Sequence, residues 1–135
     1  MSTALYAKGR QGFLDGSIDF DTDDIRAILI DTADYTVDLA AHDNLDDIPS
    51  AARVAVSAAL SSKTVTDGIA DAADVTFSSV SGDSCEAIVL YKDTGAESTS
   101  RLIAYIDSAT GLPVTPNGGD ITIQWDNGSN KIFKL

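Results

Sequence analysis

The chain has 135 residues, 44% of them hydrophobic and 22% charged, with a formal net charge of −12. That length and balance are those of one globular domain, residues 1–135, with a core of its own. The negative charge repels a phosphate backbone, so nucleic acid is not an expected partner, and no apolar run is long enough to suggest a membrane-spanning helix.

The N-terminal segment, residues 1–16, carries ALYAKGRQGFLDG. Its apolar residues are broken by Lys8, Gly9, Arg10 and Gln11, which is not the core of a signal peptide, so a non-secreted chain is expected. Two readings of the segment stand side by side. One is a short helix with Tyr6, Phe13 and Leu14 on one side, disfavoured by Gly9 and Gly12. The other is an extended docking arm, in which Tyr6, Lys8, Arg10 and Phe13 would lie across a neighbouring subunit.

The stretch DFDTDD, 19–24, holds four aspartates. An EF-hand loop beginning at Asp19 needs a glycine at its sixth position and a glutamate at its twelfth; Asp24 and Ile30 stand there instead. An exposed turn leading into a strand is expected, with an irregular cation site as the alternative. The acids continue: Asp15, Asp19, Asp21, Asp23, Asp24, Asp31, Asp34, Asp38, Asp43, Asp46 and Asp47 face only Arg26 within residues 15–47. The rest of the chain is close to neutral. It is therefore better suited to protein contacts, where desolvating charge is costly.

IRAILI, 25–30, is apolar at both parities and reads as a strand buried on both faces. TADYTVDL, 32–39, continues with β-branched and aromatic residues. In HDNLDDIP, 42–49, Asp43 or Asn44 caps a helical turn around Leu45–Ile48, and Pro49 ends it. ARVAVSAAL, 52–60, mixes helical and strand character; its β-type neighbours favour a strand. KTVTDG closes on a glycine turn. ADVTFSSVSGD, CEAIVLYKDTG and SRLIAYIDSATG each read as a strand bounded by a turn. GDITIQWDNGSNKIFKL reads as a hairpin folded at DNGSN, with KIFKL paired in a sheet. Together these predict an all-β sandwich or barrel of roughly seven to nine short, mostly antiparallel strands. Its expected core is Ile28, Ile30, Val75, Phe77, Ile88, Leu90, Ile103, Tyr105, Ile121, Ile123 and Phe133.

The chemical inventory is thin. His42 is the one histidine and sits in an acidic loop, where exposure or a capping role outweighs catalysis. Cys85 stands alone, so no intrachain disulfide forms, and it reads as a small buried hydrophobe. A zinc site would need more Cys or His ligands. Carboxylate pairs are plentiful, but none lies in an aromatic-rich, sugar-binding context. Trp125 and Tyr105 are the residues that would stack on a sugar, and both fall in strand patterns that point to the core. GLPVTPNGG, 111–119, lacks the Lys-Ser/Thr ending of a phosphate cradle and reads as a structured surface loop, of a proline-bearing kind that often makes contacts. No catalytic residue, cofactor or metal is expected, and the class of function is binding or assembly rather than an enzyme.

Several phrases resemble a family of small virion structural proteins of tailed phages and prophages. They are Phe13–Gly16 followed by Ile18 and Asp19, the strand Asp24–Leu29, the loop His42–Pro49, and the ending LIAYIDSATGLPVTPNGGDITIQWDNGSNKIFKL. The resemblance implies a structural component of the particle, made in the host cytoplasm and located in the virion. A capsid decoration or cement protein is the favoured role. It would be a homo-oligomer docking on the major capsid protein or other virion proteins, and an acidic chain is better placed outside the shell than against packaged DNA. A tail, baseplate or fibre component is the alternative within that class. A carbohydrate-binding β-sandwich and a small hydrolase are the alternatives outside it.

Overall fold

A computed structural model describes residues 3–107, 109–125, 128 and 131–135. Among these are ten strands and one helix, in the order β1 (Thr3–Leu5), α1 (Ala7–Asp15), β2 (Ile25–Ile30), β3 (Arg53–Val56), β4 (Thr64–Thr66), β5 (Ile69–Asp71), β6 (Val75–Phe77), β7 (Ala87–Lys92), β8 (Leu102–Ile106), β9 (Ile121–Ile123) and β10 (Phe133–Lys134). They form a five-stranded sheet ordered β1-β8-β7-β2-β3, a three-stranded sheet β10-β5-β4 and a two-stranded sheet β6-β9. Every strand pairing is antiparallel. The all-β, sandwich-like fold is therefore as expected. The strands number ten rather than seven to nine, because pieces as short as β1 and β5 carry too few residues for an alternation to show.

The five-stranded sheet is a central layer with both faces buried. On one face Ile25, Ala27, Leu29, Ile88, Leu90 and Ile103 meet Phe77, Ile121, Ile123 and Phe133 of the two smaller sheets, with Trp125 just beyond β9. On the other, Ile28, Ile30, Val89 and Leu102 meet Tyr6, Tyr35, Leu45, Ile48 and Ala52. This is why IRAILI is apolar at both parities. Each such aliphatic side chain contributes roughly 1.5–3 kcal/mol through burial. The expected core residues are all buried except Tyr105. Tyr105 is half-buried, its ring leaning on Tyr35 at a centroid distance of 6.5 Å.

Two expectations about elements are corrected. Residues 32–39 form turns and irregular chain, not a strand. Aspartates in and beside this segment bond to nearby backbone: Asp31 Oδ1 accepts from Ala33 N–H, and Asp38 Oδ1 from the N–H groups of Ala40 and Ala41. Such local bonds compete with strand pairing. The C-terminal segments do not form a hairpin with each other either. β9 pairs with β6, Val75 opposite Ile123, and β10 with β5, Phe133 opposite Ala70. Alternation marks a strand's two faces but not its partner. Of the expected DNGSN turn, only Gly128 is among the described residues.

Other local expectations match. Asn44 caps the 3-10 turn Leu45–Asp47 in a reciprocal capping box, and Pro49 follows, leading into a second 3-10 turn, Ser50–Ala52. The 111–119 loop is held against 80–85 by a Cys85–Val114 bridge and by Gly118 N–H donating to the Val80 carbonyl at 2.7 Å.

Candidate docking surface

The N-terminal segment is folded onto its own domain, which corrects the free-arm reading. β1 pairs with β8 along Thr3–Ile106, Ala4–Tyr105 and Leu5–Ala104. Tyr6 is fully buried, and its backbone N–H donates to the Ile103 carbonyl at 3.0 Å. Helix α1 then lies across β8. A Cβ on Gly9 would come within 2.8 Å of the Leu102 carbonyl oxygen and 2.9 Å of Ile103 backbone atoms. The glycine that weakens the helix in isolation is what lets it press this close. Of the proposed arm residues, Lys8 and Arg10 are exposed. Lys8 Nζ donates to Gln11 and Arg10 donates to the Leu5 carbonyl, both contacts local to the segment. Phe13 is half-buried, its ring 5.7 Å from that of Phe133.

His42 belongs to the same packing. Tyr6 Oη lies 2.9 Å from Tyr35 Oη, which lies 2.8 Å from His42 Nδ1. Asp38 N–H also donates to His42 Nδ1, so that nitrogen is an acceptor and the relay runs Tyr6 to Tyr35 to His42. Burial, reinforced by donation to Tyr35, pushes the Tyr6 hydroxyl pKa far above its ordinary value. Burial likewise pushes Tyr35 up to about 12, although accepting the Tyr6 bond works the other way. The imidazole thus anchors residues 35–42 over the sheet. Cys85 is buried, which pushes its thiol up to about 11 and keeps it a neutral packing group.

The acids of 15–47 are largely engaged in holding turns. Asp23 Oδ2 accepts from Asp19 N–H at 2.7 Å, and its carboxylate pairs with Lys92 at 3.1 Å. Asp24 meets Arg26 through two hydrogen bonds of 3.0 Å, which hold its carboxyl below the usual range. Asp47 Oδ2 accepts from Asp43 N–H at 2.7 Å, with the same effect on its pKa. Two triads, Asp31–Asp34–Asp83 and Asp43–Asp46–Asp47, bring carboxylate oxygens within 4.8 Å of one another. Asp47 is engaged with the backbone of Asp43 and Asn44, and Asp31 with that of Ala33; neither triad is assigned as a metal centre.

What the sequence did not disclose is a surface groove of about 270 Å³. One wall is the end of α1 and the loop after it: Phe13, Gly16, Ile18, Asp19 and Phe20. The other is the face of the three-stranded sheet, Val65, Ala70 and Phe133, with Gly68 and Leu135 beside it. Val65, Ala70 and Phe133 stand opposite one another across β4, β5 and β10, so the small alanine sets the floor between two larger residues. Phe20 meets Phe133 edge-on at 5.6 Å and closes one end. Val65 is 50% exposed and Leu135 55%. Of the groove's lining residues the sequence marks Phe13 for docking, Phe133 for the core and Gly68 for a turn, with nothing in one dimension to join them into one site. Trp125, weighed as a sugar-stacking residue, is buried, and its Nε1–H donates to the Ala73 carbonyl at 2.9 Å.

No protein-family model matches the chain, and a search of curated proteins finds none significantly similar to it.

Proposed function

We propose that the protein is a non-enzymatic structural component of a tailed-phage particle, and specifically a decoration protein that docks on the outer surface of the capsid. The observation that carries this reading is the apolar groove between α1 and the three-stranded sheet. It offers exposed hydrophobic surface on a rigid β-domain, the kind of surface that marks a protein contact. Two further points support it. The one histidine, the cysteine and the tryptophan are occupied in packing and turn formation. The acidic residues of 15–47 lie mostly on the exterior, which suits a place away from packaged DNA.

The test is co-sedimentation. Purified protein is incubated with assembled shells and, separately, with isolated tails of the phage that encodes it, and bound protein is quantified across a concentration series. Saturable binding to shells at a fixed ratio to the major capsid protein is the expected result. Binding to tails alone would replace the capsid role with a tail role, and binding to neither would overturn the virion reading.

A further inference from the structure

We infer that the free edge of β4, together with the adjoining groove, is a strand-addition site for an extended segment that alternates apolar and basic residues, supplied by a partner protein. This goes beyond the docking role proposed above by naming the surface and the chemistry it takes, and it rests on that role only for where the partner resides.

The backbone supplies the first part. β4 is an edge of its sheet, and among the described residues no strand other than β5 pairs with it. Thr66 and Ile69 flank the two-residue turn Asp67-Gly68, whose φ angles are 54° and 77°. Such a turn makes the flanking pair the hydrogen-bonded one, and the next pair, Val65 and Ala70, the non-bonded one. The far side of β5 agrees: the Ala70 carbonyl turns to β10, accepting from Ile132 N–H at 3.0 Å. The N–H and C=O of Val65 therefore face the free edge. An extended chain laid there satisfies both, as in other edge-strand recognition.

Side chains supply the second part. An added strand places alternate residues on the face carrying Val65, Ala70 and Phe133, over the open groove. Natural edges are commonly protected by charge, proline or a cover, yet Thr64-Val65-Thr66 is exposed at all three positions.

The third part is charge. Asp19 lines the groove, and Asp15, Asp21 and Asp67 are exposed on the segments that frame it. No base is among the lining residues. Lys63, just before β4, is turned to the Asp23 carbonyl. A second copy of this acidic chain is thus a poor occupant, whereas a basic segment is complementary.

The test uses a short fluorescein-labelled peptide alternating lysine with valine, read by anisotropy against the intact protein. The expected result is saturable binding that weakens with salt, with new exchange protection at the Val65 amide. The same peptide with glutamate for lysine should bind at least about tenfold more weakly. Val65→Pro removes the outward N–H, which edge strands tolerate because the hairpin does not use it, and it should weaken binding by about tenfold or more. Val65→Lys, at an exposed position, should do the same and guards against misfolding of the proline variant. Equal binding by the parent and both variants would overturn the inference and move the peptide to the acidic 31–47 surface. Absence of binding, or self-association of the parent abolished by Val65→Pro, would overturn it as well. Because only the isolated chain is used, the result is separable from the shell experiment.

Discussion

The two faces of the central sheet are covered by different means. One is sealed by irregular chain: residues 31–52 lay Tyr35, Leu45, Ile48 and Ala52 on the sheet, and Tyr6 is tied in through Tyr35 to His42. Aspartates hold the turns of that cover, Asp31 from a buried position and Asp38 and Asp47 from nearer the surface. The other face is covered by regular strands, yet beside β4 that cover leaves an apolar groove open. Regular structure does not by itself give closure. Irregular chain seals because its backbone groups find local partners, while an open sheet such as β10-β5-β4 ends in edges whose groups are left for another strand or solvent.

The strongest way to break the sealed side is Tyr6→Ala. It removes a fully buried aromatic ring and the start of the relay, and should cost about 3–5 kcal/mol of unfolding free energy in a urea titration. A loss below about 1 kcal/mol would show that the N-terminal segment is not integral to the fold. Gly9→Ala comes next. The added methyl meets β8 backbone, so the helix must move off the sheet at a cost of about 1–3 kcal/mol, visible as a lower thermal midpoint.

pH sharpens the comparison. Tyr6 and Tyr35 have folded pKa values above their ordinary value near 10, so the fold favours their neutral forms. That stability is complete below about pH 10 and is lost as pH rises through the folded values. Asp47, held low chiefly by the Asp43 N–H, acts in the opposite sense: its contribution is present above about pH 4 and is lost as pH falls further. Urea midpoints across pH should therefore decline at both ends. Tyr6→Phe should flatten the alkaline limb, while costing about 1 kcal/mol at neutral pH through the lost hydrogen bond. An unchanged alkaline limb in that variant would refute the assignment.

The smallest effect is expected on the open side. Val65→Lys changes a half-exposed residue at a free edge and should alter stability by no more than about 0.5 kcal/mol. A loss of several times that would make the groove a structural seam rather than a binding surface.

The sequence by itself determined the elements whose signal is local. The apolar run of IRAILI, the alternation of Val75 and Phe77, the strands at 87–92 and 102–106, and the Asn44 cap before Pro49 all lie within a few residues, and all are present. It also marked Cys85 as a packing residue, whereas His42 read as an exposed or capping residue and only the fold brought it onto Tyr35. Tertiary structure decided the rest. Ile121–Ile123 and Phe133–Lys134 look like a hairpin, but choose β6 and β5 because side-chain period sets faces, whereas burial against distant strands sets partners. Gly9 reads as a helix breaker until β8 lies against it. The groove is invisible in one dimension because its walls come from Phe13–Phe20, Val65–Ala70 and Phe133–Leu135, segments that only the sheet pairings bring together.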